Sequence, residues 1–338
     1  MRARARVALR IAGALGLFLD LLLVSACQPS VAATAPPPVP PPSVPTLARE
    51  ITAARVSPVA PKVEPPRLAD LARRAGDVWL AAFKARDADR LASVYAEEAC
   101  ITSPGRAPVC GRSAIAEAIR TAWAKLPEMR TAWGRTWQSG DLVAVESAWS
   151  AEAKGVAALA LSWFTPDGLI REERVYADER SIASSPGAPG RARPFDGLPT
   201  TRESHEATGA PDEQANVELL RASFSAPVLA DDAELVDFTQ PGSLVGKRHA
   251  ARWAGARAGE LAGAHAAMTH SWGVEGYLVC EYETTGTRRA SHGEAATLHG
   301  AEVLQIEDGK VKRAWRYADS LELSPVSGAP SAFLFAVP

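Results

Sequence analysis

Asp167-Gly168-Leu169-Ile170, leading to Tyr176-Ala177-Asp178, is repeated 141 residues later as Asp308-Gly309-Lys310-Val311, leading to Tyr317-Ala318-Asp319. The spacing from glycine to tyrosine to aspartate is the same in both. Upstream, Val143 to Glu146 matches Leu278 to Glu281, and Gly111 matches Gly246, at an offset of 135. Pro104-Gly105 matches Pro241-Gly242 at 137. Self-similarity of this kind is read before anything else, because it sets the unit that folds. It gives two tandem copies, residues 67–182 and 212–323, with a C-terminal tail at 324–338. A linker over 183–211 is marked by Ser184-Ser185-Pro186-Gly187-Ala188-Pro189-Gly190. The second copy carries about six extra residues between Glu281 and Gly309, expected near Thr285 to His292.

Each copy reads as helices followed by strands. Leu68, Leu71, Ala75, Val78, Trp79, Ala82 and Phe83 recur at helical spacing, and Leu91, Val94 and Tyr95 suggest a second short helix. Cys100 to Ser103 and Pro108 to Cys110 flank a Pro-Gly turn as a hairpin. Ser113 is placed to cap a third helix with the stripe Ile115, Ile119, Ala122 and Trp123. Strands follow over 129–138, 141–152, 156–165 and 168–178, with turns at Ser139-Gly140-Asp141 and Pro166-Asp167-Gly168. In the second copy the first helix can begin only after Pro211, and Pro227 interrupts the region of the second. Helices first, then a run of antiparallel strands, is the α+β class.

That order, with an Asp-Gly turn and a strand ending Tyr-x-Asp, resembles the SnoaL-like branch of the nuclear transport factor 2-like superfamily. The resemblance implies two tandem cone-shaped domains, each a curved, mostly antiparallel sheet wrapped on N-terminal helices. It also implies that one face of the last strand lines a cone. Simple alternation puts Ile170, Glu172, Arg174, Tyr176 and Asp178 on that face in the first copy, and Val311, Arg313, Trp315, Tyr317 and Asp319 in the second. Lys310, Lys312 and Arg316 then share a wet face. Trp79, Trp163, Tyr176, Asp178, Trp315, Tyr317 and Asp319 are therefore the pocket candidates.

Ketosteroid isomerase, the best-known chemistry on this fold, needs an Asp base before a Pro, a Tyr, and a protonated acid. By that resemblance the base position falls on Ser103 or Gln240 and the Tyr position on Trp79. The strand at 156–165 holds no carboxylate, although the second copy has Glu302 in the equivalent strand. The isomerase constellation is thus missing, and no catalytic residue is assigned.

The N-terminus has its own anatomy. Arg2, Arg4, Arg6 and Arg10 precede a mostly apolar stretch from Ile11 to Ala26, which is 16 residues long and short for a membrane span of about 20. It ends Leu23-Val24-Ser25-Ala26-Cys27, which resembles a bacterial lipobox. Residues 1–27 are thus expected to be a lipoprotein signal peptide. Cys27 would be acylated, and the chain exported and held in the cell envelope. Gln28 in place of an aspartate favours the outer membrane where one exists. Residues 28–66, rich in proline from Pro36 to Pro66, read as a tether that could reach about 100 Å as polyproline II.

The remaining signals are narrower. Cys100 and Cys110 are approximate cross-strand neighbours, and a disulfide between them suits an oxidising compartment. Cys280 reads as a buried thiol. His265 and His270, five apart, fit neither a helical nor a same-face strand metal pair, so no metal and no cofactor are expected. Past residue 27 the chain has 33 basic and 38 acidic residues, which gives no global reason to seek nucleic acid. Trp79, Phe83, Tyr95, Trp123, Trp133, Trp137, Trp149 and Trp163 all fall in the first copy. A subset lining a cavity would suit a small apolar ligand. The reading that follows is a lipid-anchored, non-catalytic protein binding a small apolar molecule or an envelope protein partner. A SnoaL-like cyclase or isomerase and a structural pseudo-dimer with its sheets packed together remain as alternatives.

Overall fold

The structure, a computed structural model, describes residues 67–318 apart from 152–153, 179–196, 198, 225, 241, 259–260 and 289–292. The lipobox, the tether, Asp319 and the C-terminal tail lie outside the described residues. Among the described residues no helix is long and apolar enough to cross a membrane.

The first half opens with α1 (Leu68–Ala85), whose apolar stripe buries Ala72, Ala75, Trp79, Ala82 and Phe83. Arg86 ends it in the left-handed conformation, with its N–H closing onto Ala82 and Phe83 carbonyls. Then come α2 (Ala88–Ala92), capped by the Asp87 side chain on the Arg90 N–H, β1 (Tyr95–Thr102), β2 (Val109–Cys110) and α3 (Arg112–Lys125). The strands β3 (Arg130–Ser139), β4 (Leu142–Ala151), β5 (Lys154–Phe164) and β6 (Ile170–Ala177) complete an α+β layout. Tyr95 belongs to β1 rather than to the short helix, and the N-cap of α3 is Gly111 at φ +92, not Ser113. Gly168, at φ +83, has the side chain of Leu71 where a Cβ would stand, so this turn both reverses the chain and seats it against α1. Cys100 and Cys110 are register partners on β1 and β2 and form a disulfide.

Residues 203–206, inside the stretch read as linker, form a further strand, β7 (Glu203–Glu206), parallel to β3. Its side chains are mostly exposed and alternate weakly, which left no periodic signal. The first sheet runs β2-β1-β6-β5-β4-β3-β7.

The second half has α4 (Pro211–Ser223), β8 (Leu229–Asp237), β9 (Ser243–Val245), a 3-10 turn at Lys247–His249 and α5 (Ala250–Ala258). Its long strands are β10 (Leu261–Val274), β11 (Tyr277–Arg288), β12 (Ala295–Glu307) and β13 (Lys310–Ala318). Pro211 begins α4, and no helix intervenes between it and β8. The second sheet runs β10-β11-β12-β13-β8-β9. Read backwards, this is the order of the first six strands of the first sheet, with β8 and β13 parallel as β1 and β6 are.

Three apolar clusters hold these elements. One packs α1–α3 against the inner face of the first sheet, and a second packs α4 and α5 against the second sheet. The third lies between the outer faces of the two sheets. Trp137, Leu159, Leu161 and Trp163 meet Trp272, Val274, Val279 and Val303 there. Burial of two sheet faces against each other is the usual route to a sandwich core, here built within one chain.

Candidate functional site

The inner face of the first sheet and α1 enclose a cavity of about 470 Å³, within the range of small-molecule sites. Its wall carries Trp79, Tyr95, Trp133, Trp149, Phe164 and Glu173. The aromatic rings brace one another: Trp79 lies 5.7 Å from Trp133 and 5.7 Å edge-on from Trp149. Gly76 makes this possible, because any Cβ there would sit 2.4 Å from the Trp133 ring.

Glu173 is the carboxylate of this wall. Its Oε2 accepts a hydrogen bond from the Tyr95 hydroxyl, which is also hydrogen-bonded to Trp79. Burial pushes the Glu173 carboxyl up to about 7, against the smaller downward pull of the Tyr95 hydrogen bond. Burial, with the nearby Glu173 carboxylate, holds the Tyr95 phenol well above its ordinary value. A carboxylic acid that titrates near neutrality in an apolar recess can hold or exchange a proton, or pair with a cation.

The rim is charged and internally paired. Arg67 meets Glu206 at 2.9 Å, Arg73 meets Asp70 at 2.6 Å, and Arg202 meets Asp77 at 3.1 Å. Arg202, Glu203, Ser204 and Glu206 all come from the stretch read as linker, so that stretch builds part of the mouth.

Of the residues expected to line pockets, Trp79 does so. Trp163, Tyr176, Trp315 and Tyr317 lie instead at the junction of the two sheets. For Tyr176, Trp315 and Tyr317 the reason is a one-residue bulge in each last strand. Ile170 pairs with Phe164 but Glu172 with Trp163, leaving Arg171 as the extra residue. Val311 pairs with Ile306 but Arg313 with Gln305, leaving Lys312 extra. One inserted residue moves every later side chain to the opposite face. Glu173 and Val175 therefore turn inward, while Arg174 and Tyr176 turn to the other sheet. Asp178 is buried at the end of β6 and does not line the cavity. Ser103, at the isomerase base position, does not line it either.

The same shift overturns the wet face expected for Arg316, which is 2% exposed in the interior of the second half. Its guanidinium donates to Glu302 at 2.8 Å, to Asp237 at 3.2 Å and to the Trp253 carbonyl at 2.7 Å, and lies 3.9 Å from the Trp253 ring centre. By register, Glu302 opposite Arg316 stands where the first half has Ala160 opposite Val175. An arginine–carboxylate cluster thus occupies positions that in the first half are held by small apolar side chains. Among the described residues no group of His, Cys, Asp or Glu is arranged to hold a metal ion.

Residues 77–173, a span that includes Trp79, Tyr95, Trp133, Trp149 and Glu173, match the SnoaL-like domain model. No curated protein matches the chain. Solved structures similar to it include a SnoaL-like protein of unknown function from Burkholderia thailandensis, at 24% identity over 32% of this chain and 95% of that one, with a TM-score of 0.29. A steroid delta-isomerase from Pseudomonas aeruginosa matches at 21% identity over 32% and 79%, TM-score 0.28. A SnoaL-like polyketide cyclase from Jannaschia sp. CCS1 matches at 14% over 36% and 96%, TM-score 0.31. By the family-model match, the chain carries one SnoaL-like domain, over residues 77–173.

Proposed function

We propose that this chain is a binding protein that holds a small, largely apolar molecule in the cavity of its first half. We take the second half to be a second copy of the same domain, with the Arg316 cluster at the positions that are open in the first, acting as a built-in partner for the outer face of the first sheet. In this reading Cys27 is acylated, and the proline-rich segment holds the folded part away from the envelope membrane. The carrying observation is the contrast between the two interiors: a 470 Å³ aromatic cavity in one, the Arg316–Glu302–Asp237 cluster in the other. A filled interior gives up a site, and an open one costs packing that a ligand restores. The test is the melting temperature of the full chain with a panel of small apolar molecules. A concentration-dependent rise that is lost in Trp149→Ala supports the reading. No rise with any member removes it.

A second reading rests on Glu173, whose carboxyl titrates near 7 and so suits general acid–base work. The two part on one point. A ligand released chemically unchanged after prolonged incubation supports binding alone. Turnover that Glu173→Gln abolishes supports catalysis.

A further inference from the structure

The buried and half-buried carboxylates named below have partners, and those partners differ in kind. Glu302 and Asp237 share Arg316, Glu281 accepts at both oxygens from Arg174 Nη1, and Glu146 faces Arg135 in a bidentate pair. Glu213 accepts backbone N–H groups of Thr208, Gly209 and Ala210. Glu173 has the neutral phenol of Tyr95. The three arginines that line its cavity are each engaged with a rim carboxylate, Arg67 with Glu206, Arg73 with Asp70 and Arg202 with Asp77. The last rim acid, Glu203, lies 3.9 Å from His205. The cavity therefore offers a carboxylate, no unengaged arginine among its lining residues, and indole and phenol rings around it.

From this arrangement we infer that the ligand of the first-half cavity is an organic cation, an alkyl- or arylammonium whose apolar body fills the aromatic wall and whose charge meets Glu173. This rests on the binding reading above and names the ligand class for that same site. Two physical effects favour it. A desolvated cation is attracted to the faces of indole and phenol rings. It also supplies the counter-charge that a buried carboxylate otherwise obtains by taking up a proton. The rim adds to this, since it and the cavity wall together carry five carboxylates against three arginines. Burial raises the Glu173 carboxyl, and the hydrogen bond from Tyr95 on β1 opposes that rise. The charges that face the cavity from α1 and the β7 segment are paired at the rim, Arg73 with Asp70, Arg67 with Glu206 and Arg202 with Asp77.

The test uses the full chain and a matched pair of probes, phenyltrimethylammonium and its neutral isostere tert-butylbenzene, at about pH 5.5 and about pH 8.5. The cation is expected to bind about tenfold more tightly at the higher pH and more tightly there than the isostere, whose affinity stays flat. Glu173→Gln is expected to remove the pH dependence for the cation and leave the isostere unaffected. If the isostere binds as tightly as the cation at the higher pH, the cation inference falls and the cavity remains an apolar site. If neither probe binds while the protein stays folded, the binding reading falls, and this inference with it. The comparison of the two probes on the unaltered chain needs no variant to fold.

Discussion

The Tyr317 hydroxyl of the second sheet donates to Glu146 of the first at 2.5 Å, and Tyr176 of the first donates to Glu281 of the second. The two bonds are the same contact made twice with the halves exchanged, because Tyr317 repeats Tyr176 and Glu281 repeats Glu146. Each carboxylate is also held by an arginine of the first half, Arg135 on Glu146 and Arg174 on Glu281. The repeated Tyr motif therefore serves the contact between sheets. Removing Glu281 takes away the acceptor of the buried Tyr176 hydroxyl, while Arg174 keeps Glu172; removing Glu146 takes the shared partner from both Tyr317 and Arg135. Glu281→Ala is expected to destabilise the chain by about 2 kcal/mol, read from urea unfolding. A change below about 0.5 kcal/mol would mean the contact is ornamental.

The same carboxylate gives a signed pH response. Burial alone would raise Glu281, but hydrogen bonds from Tyr176 and Arg174 outweigh it and hold the carboxyl below its ordinary value. Its contribution is present above the unfolded carboxylate range and is lost as pH falls through the lowered folded value. Acid unfolding of the wild-type chain should therefore be steeper than that of Glu281→Gln. Parallel acid curves for the two proteins contradict this.

Glu173 responds in the opposite sense. Its folded value of about 7 lies above the ordinary carboxylate value of 4.5. The folded state holds the proton more tightly there, so stability declines as pH rises between the two values and stays lowered above the upper one. Glu173→Gln should flatten that decline and melt higher than wild type in mildly alkaline buffer. An unchanged pH profile in the variant would contradict a raised Glu173 carboxyl in the cavity wall.

Arg316 neutralises two acids at once. Arg316→Met should cost about 3–5 kcal/mol, because Glu302 and Asp237 are then left together in an apolar interior. Adding Glu302→Leu and Asp237→Asn should recover much of that loss. Full additivity of the three single changes in the triple variant speaks against a coupled cluster.

Much of the fold was legible because its signals are periodic or local. The stripe from Leu68 to Phe83, the Asp-Gly turns and the cross-strand cysteines each specify structure over a few residues. The candidate site was harder to see because it depends on one inserted residue. Arg171 and Lys312 look like ordinary members of alternating strands, yet each flips the face that follows it. Glu173 was hidden by that flip. One signal did point to it: at the 141-residue offset Glu173 aligns with Ala314, and Val175 with Arg316. Charge at interior positions thus differs between the copies while Tyr176 and Tyr317 persist. The β7 segment carries too little alternation to stand out from a linker. Its role at the cavity mouth exists only through its pairing with β3.

The most direct measurement is native mass spectrometry of the full chain and of Ala160→Phe, each incubated with a small molecule that raises the wild-type melting temperature. Ala160 lines the cavity, so a phenyl ring there occupies the space proposed for the ligand. A single adduct is expected on the wild-type chain and none on the variant, with the variant still folded by circular dichroism. An adduct of equal intensity on both proteins would place the ligand elsewhere and contradict the assignment of the first-half cavity.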